Sequence, residues 1–309
     1  MPQLHLLAEP EDYAPIVLLP GDPNRATRIA AKFDGGLGAA RLVNENRGLL
    51  GYTGTIEGVP VSVQTTNMGT PTTSIVVEEL LNLGVETFIR VGTCGGFLHL
   101  DTGDVLVASA AVASSGIGPI LGFNEPTAPT ADHDVTNALV AAAKAEGLTT
   151  HVGPIVTSDV FYDPEPQGTA RWGRRGYLGV EMESAALFLL AMRERAKGRP
   201  VRAGTILTVS DTIRDPNLVA EARKGGSEPW YRLPEDELVK RIDLTIGAAL
   251  ITMSAPATSL IGGISFRCTR IMREGRSNLL VQTPWRRPSI RLRRILSRPC
   301  KAAARGCDT

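Results

Sequence analysis

Phe88-Ile-Arg-Val-Gly-Thr-Cys-Gly-Gly96 is the stretch on which the reading of this chain turns. Phe88, Ile89 and Val91 are strand formers around an arginine, and a threonine and a cysteine then sit among three glycines. The pattern reads as a buried strand opening into a tight turn where the backbone approaches a ligand closely. Exposed amides beside Arg90 and Thr93 would seat a small oxyanion, with phosphate the best fit. No Gly-Lys-Ser/Thr follows, so this is not a nucleotide P-loop, and the third glycine and later acid of a dinucleotide fingerprint are missing. From this stretch alone, a glycine-rich strand exit with a solvent-facing arginine reads equally well.

Upstream, Ile16-Val-Leu-Leu19 is a strand stopped by Pro20-Gly-Asp-Pro23, and helical spacing runs from Arg25 to Phe33, ended by Gly35-Gly36. The Gly21 amide and Arg25 would meet at a helix start able to bind an anion, although Pro-Gly-Asp-Pro is also ordinary turn chemistry. Residues 50–56 and 59–65 form a hairpin around Glu57-Gly58, leaving Arg47 at a strand tip, within reach of a neighbouring subunit or simply solvated. Met68-Gly-Thr-Pro71 leads into a helix over 74–83, capped by Gly84.

Downstream, 104–109, 151–158 and 205–210 read as strands, and 135–147 and 235–252 as helices. This alternation predicts an α/β fold, a single domain with a central mixed sheet flanked by helices. In Gly179-Val-Glu-Met-Glu-Ser184 a short strand turns helical at Ser184, so Glu181 and Glu183 project from one face. Two carboxylates beside the apolar run 185–192 are costly unless they bind a ligand or pair with arginines. Asp211 is placed at a strand end, where open α/β sheets bind ligands.

The 309 residues carry a net charge of only +1, which hides a division. Residues 255–309 hold twelve Lys/Arg against Glu274 and Asp308, a net of +10, so residues 1–254 carry −9. The main body therefore offers no basic face for nucleic acid. The tail, dense in Arg, Pro and Ser, reads as disordered or foreign to the fold, with a nucleic-acid or membrane arm as the alternative. The expected domain is 1–254. Its one cysteine, Cys94, cannot form an internal disulfide framework, which favours a reducing cytoplasm. The N-terminus has neither the cationic start nor the long apolar core of a signal peptide, and no apolar run is long enough to span a bilayer, so no membrane association is expected.

Seven segments in order resemble the nucleoside phosphorylase-I family and, within it, the bacterial hexameric purine nucleoside phosphorylases. They are Leu19-Pro-Gly-Asp-Pro-Asn-Arg25, Asn46-Arg-Gly-Leu-Leu-Gly-Tyr-Thr-Gly54, Met68-Gly-Thr-Pro71, Ile89-Arg-Val-Gly-Thr-Cys-Gly95, Ser158-Asp-Val-Phe-Tyr162, Gly179-Val-Glu-Met-Glu-Ser184 and Val209-Ser-Asp-Thr-Ile-Arg214. The resemblance covers about residues 1–253 and implies a partly barrel-like sheet. It also implies a reaction in which phosphate and a purine nucleoside give free base and ribose 1-phosphate, with phosphate as co-substrate and no cofactor.

By the same resemblance, phosphate is held by Gly21, Arg25, Arg90 and Thr93, with Arg47 donated by the adjacent subunit. Ribose falls to Met182 and Glu183, with His5 reaching across the dimer of a hexamer built as a trimer of dimers. The base pocket is Cys94, Gly95, Phe161, Val180, Glu181 and Asp211, and Asp211 is also the catalytic acid. A helper cation is expected near Arg223 or Lys224. The chemistry suits these residue types: an anion below the sugar and Glu183 stabilise an oxocarbenium-like transition state, and protonation at N7 makes the purine a leaving group. Gln167 is followed by Gly168 and Thr169, so the Gln-x-Arg pair of uridine phosphorylases is missing. Arg25, Arg47 and Arg90 argue against a hydrolytic nucleosidase, and the acids beside them against a non-catalytic nucleoside-binding protein.

Overall fold

The structure is a computed structural model that describes residues 3–97, 99–162, 171–213 and 231–254. Arg214, Arg223, Lys224, the Gln167 segment and the tail 255–309 lie outside the described residues.

Among the described residues, one ten-stranded mixed sheet organises the domain. Its strands are β1 (Ile16–Leu19), β2 (Arg41–Asn44), β3 (Gly51–Ile56), β4 (Val59–Gln64), β5 (Thr87–Phe97), β6 (Val105–Ser114), β7 (Thr150–Ser158), β8 (Gly179–Glu181), β9 (Arg202–Ile213) and β10 (Tyr231–Arg232). The order is β10-β9-β6-β7-β8-β5-β1-β4-β3-β2, and β9 pairs again with β5. That second pairing closes β5, β9, β6, β7 and β8 into a five-stranded barrel, and β1 to β4 extend from β5 as an open sheet. The partly barrel-like expectation is therefore met. Helices α1 (Pro23–Ala30), α2 (Thr70–Asn82), the one-turn α3 (Ile117–Ile120), α4 (His133–Ala145), α5 (Ser184–Ala196) and α6 (Glu235–Ser254) cover the sheet. Every residue of α5 from Ser184 to Ala191 is buried, which is why its sequence is apolar all round rather than along one stripe.

Among the boundaries that depart from the sequence reading, three have a plain physical reason. β5 does not end in a turn at Gly92; it runs to Phe97, paired along its whole length with β9. The glycines serve close packing inside a strand rather than chain reversal. Asp211 is likewise inside β9, not at its end. Helix α2 begins at Thr70, four residues early, because Gly69 (φ 89) and Pro71 together start it.

The α2–α5 side is tied by Glu194, a buried carboxylate bonded to Arg193, Lys197 and Arg199. Burial alone would raise its pKa, but these three cations more than reverse that and hold it at about 2 against an ordinary 4.5. A carboxyl with a depressed folded-state pKa stabilises the fold above its unfolded value and loses that contribution as pH falls through the folded one. Between pH 5 and pH 3 this group should cost the protein about 2 kcal/mol of unfolding free energy. Urea denaturation of wild type and Glu194→Gln at both pH values measures it; equal losses in the two proteins would show the network to be inert.

Candidate active site

Arg90 is carried by β5 into the middle of the sheet, where its side chain is only 6% exposed. Its Nε donates to Glu181 Oε2 at 2.8 Å, and its Nη2 lies 2.5 Å from Glu183 Oε2. Gly92 makes this possible: a Cβ there would lie 2.8 Å from Arg90 Nη2. The first glycine of the opening motif thus makes room for an arginine rather than for a ligand.

The two acids arrive on β8, three residues long, whose register sets Val180 opposite Gly95 of β5 and Glu181 opposite Thr157 of β7. Glu183 ends that stretch at the N-cap of α5, and its Oε1 accepts from the Gly69 amide at 2.6 Å. Burial pushes the Glu183 carboxyl above the usual range; Arg90 pulls it back and the charge of Glu181 adds to the rise. Burial would lower the pKa of Arg90, but Glu183 and Glu181 outweigh it and the net shift is upward.

Arg25, on the first turns of α1, donates from Nη1 to the Val91 carbonyl at 3.2 Å. Its Nε is buried, with no hydrogen-bond partner among the described residues. Burial, reinforced by the positive charge of Arg90, lowers its pKa to about 10, so it stays charged at neutral pH. A buried, unmatched guanidinium N–H beside a second arginine is an arrangement that an anion completes. At the helix end next to it, Asp22 Oδ1 caps α1 by accepting from the Asn24 amide at 2.9 Å. Gly21, just before that cap, is half-buried.

A second set converges across the barrel seam. The β5–β9 register shifts between Cys94 and Gly95, because Ser210 is an extra residue on β9, and the bulge sets Asp211 opposite Gly95. A Cβ on Gly95 would lie 3.2 Å from Asp211 Oδ2 and 3.3 Å from Val180 Cγ1, so these three residues share one wall. Ser210 Oγ donates to Asp211 Oδ1 at 2.7 Å. Cys94, the residue before Gly95 on β5, is buried in the hydrophobic core; burial first, then the charge of Asp211, pushes its thiol up, so it is neutral and not a nucleophile. Thr93, next to Cys94, and Met182, between Glu181 and Glu183, are both half-buried.

His5 and Arg47 form a group of their own. His5 Nδ1 is 2.7 Å from Glu79 Oε1, and Asn46 Nδ2 donates to the His5 carbonyl at 2.9 Å. Arg47 is exposed in a 3-10 turn with φ 57, a left-handed conformation costly for a non-glycine residue. Phe161 is 68% exposed, its ring edge-on to Tyr162 at 5.1 Å.

Several residues escaped the sequence reading. Thr157, Ser184 and the Gly69 amide hold the two acids, Ser210 holds Asp211, and Asp159 binds both Thr70 Oγ1 (2.8 Å) and the Gly116 amide (3.1 Å). Hydroxyls and a backbone amide carry no sequence signal of their own; only the strand register makes them partners.

Comparison with known proteins follows the same lines. A family described as the phosphorylase superfamily matches residues 15–227. A DeoD-type purine nucleoside phosphorylase of Roseobacter denitrificans is 45% identical over 217 residues, 68% of this chain and 88% of the relative. Relatives of the same name from Photorhabdus laumondii subsp. laumondii (41% identical; 71% of this chain, 90% of the relative) and Geobacillus kaustophilus (42%; 68% and 86%) are similar over 223 and 212 residues. The chain belongs to the phosphorylase superfamily, as its seven motifs imply. Among the described residues no helix is long and apolar enough to cross a membrane.

Proposed function

We propose that this protein is a purine nucleoside phosphorylase, reversibly converting a purine ribo- or 2′-deoxyribonucleoside and inorganic phosphate to free base and the pentose 1-phosphate. The observation that carries the reading is the pair Arg25 and Arg90, with the Arg25 Nε buried and unmatched. Phosphate between them, with Gly21 and Thr93 alongside, would be concentrated and aimed at C1′. Glu183, anchored at both oxygens, would take the ribose hydroxyls beside Met182 and stabilise positive charge developing on the sugar. The base would lie against Cys94, Gly95 and Val180, with Phe161 available for stacking and Asp211 delivering the proton to N7. Arg223 remains the proposed helper of Asp211 on family resemblance.

Homo-oligomerisation fits the same scheme. Asp159 ties the start of α2 to the α3 turn, gathering Met68, Ile120, Phe161 and Tyr162, all 68–80% exposed. A groove of about 290 Å3 beside them is lined by His5, Ser74, Ile75, Glu78, Glu79 and Leu121. A second copy covering this face would bring in the neighbour's His5 and Arg47, and a hexamer of such dimers is the proposed assembly. The one cysteine of residues 1–254 suits a reducing cytoplasm.

Incubation with inosine, adenosine or uridine, each with and without phosphate, tests the reading, with light scattering on the same sample. Purine release that requires phosphate, from a particle several times the mass of one chain, is the expected result. Phosphate-independent cleavage would make the protein a nucleosidase, preference for uridine a pyrimidine enzyme, and binding without turnover a non-catalytic protein.

A further inference from the structure

We infer that Glu181 is a positioning residue for Arg90 and makes no contact with the base. The inference rests on the phosphorolytic reading and assigns the second acid of the Glu-x-Glu pair a different duty from the first. A carboxylate has about four lone-pair sites. Glu181 already meets five protein donors: Thr157 Oγ1 at 2.6 Å on Oε1, Arg90 Nε at 2.8 Å, Ser184 Oγ at 2.9 Å and the Glu183 amide at 3.0 Å on Oε2, and the Ser184 amide within reach of both. No acceptor site remains for a purine edge. On this inference Glu181 stands outside the base pocket in which the family resemblance put it.

The donors come from four places that the fold brings together: β5, β7, the residue after Met182 and the first turn of α5. The Ser184 amide opens α5, where the helix dipole favours an anion. Glu181 is thus pinned from all sides and grips Arg90 at Nε, while Glu183 holds Nη2. A guanidinium is planar, so fixing two of its corners fixes where its remaining N–H bonds point. Aim, rather than charge alone, is what an anion-binding arginine needs to place phosphate for in-line attack.

Glu181→Gln tests this, because the amide keeps the size but turns an NH2 toward groups that are themselves donors. Steady-state kinetics, varying phosphate and purine nucleoside separately, should show KM for phosphate rising about tenfold or more while KM for nucleoside stays within about twofold. A lost base contact would raise KM for nucleoside instead, and a merely structural role would lower kcat with the folded fraction and leave both KM values in place; either outcome overturns the inference. If Glu181→Gln does not fold, Ser184→Ala removes a single donor and should raise KM for phosphate alone, about threefold; an unchanged value there refutes the assignment. Absence of phosphorolysis in the wild type would defeat the functional reading itself, a distinct outcome.

Discussion

Arg90→Ala loses about 3–5 kcal/mol of unfolding free energy, because it strands two buried carboxylates without the guanidinium bonded to both. Glu181 and Glu183 are each about 5% exposed, so water cannot replace the guanidinium. The loss should depend on pH with a definite sign. Burial already raises the Glu183 carboxyl, with Arg90 the main force opposing the rise. Without Arg90 the folded-state pKa climbs further above the unfolded value, so the variant is relatively stable at low pH and weakens as pH rises through that folded value. Thermal unfolding at pH 5.5 and pH 8 measures both effects. Arg90→Lys separates charge from geometry: one ammonium cannot span Glu181 Oε2 and Glu183 Oε2 as the planar fork does. It should stay folded yet raise KM for phosphate about 10²-fold, since a displaced anion cannot attack C1′ in line. Near-normal phosphate kinetics in a folded Arg90→Lys would remove Arg90 from the phosphate site.

Asp211→Ala should lower kcat/KM for inosine about 10²–10⁴-fold, the range expected when a positioned proton donor is removed. The geometry behind this is the bulge at Ser210, which aims Asp211 at the wall formed by Gly95 and Val180, and the Ser210 hydroxyl that holds one carboxylate oxygen at 2.7 Å. KM for phosphate should not move, because the proposed reading puts Asp211 on the base side of the sugar, away from the anion. A purine nucleoside methylated at N7 supplies the decisive comparison, since its base departs without protonation. The variant should cleave that substrate at close to the wild-type rate. Equal damage to both substrates would mean that Asp211 shapes the pocket and does not move a proton.

These outcomes trace back to parts of the chain that differ in how much they disclose. Local chemistry was enough for the strands 16–19 and 151–158, for the hairpin turned by Glu57 and Gly58, both with positive φ, and for the break from strand to helix at Ser184. Each depends on neighbours a few residues away, which is the range over which periodicity and turn preferences act. The three arginines, the paired acids and Asp211 were visible as residue types, and seven ordered motifs were enough to place the family.

Long-range pairing decided the rest. The glycines after Arg90 look like a turn until β9 lies alongside them; only then is Gly92 the space for the Arg90 guanidinium and Gly95 the space for the Asp211 carboxylate. Glu181 and Glu183 are alike in sequence, yet one is filled by Thr157 and Ser184 while the other rests on the Gly69 amide, 114 residues away. Burial, register and the closure of β5 on β9 are properties of the assembled sheet, and no stretch of sequence carries them alone.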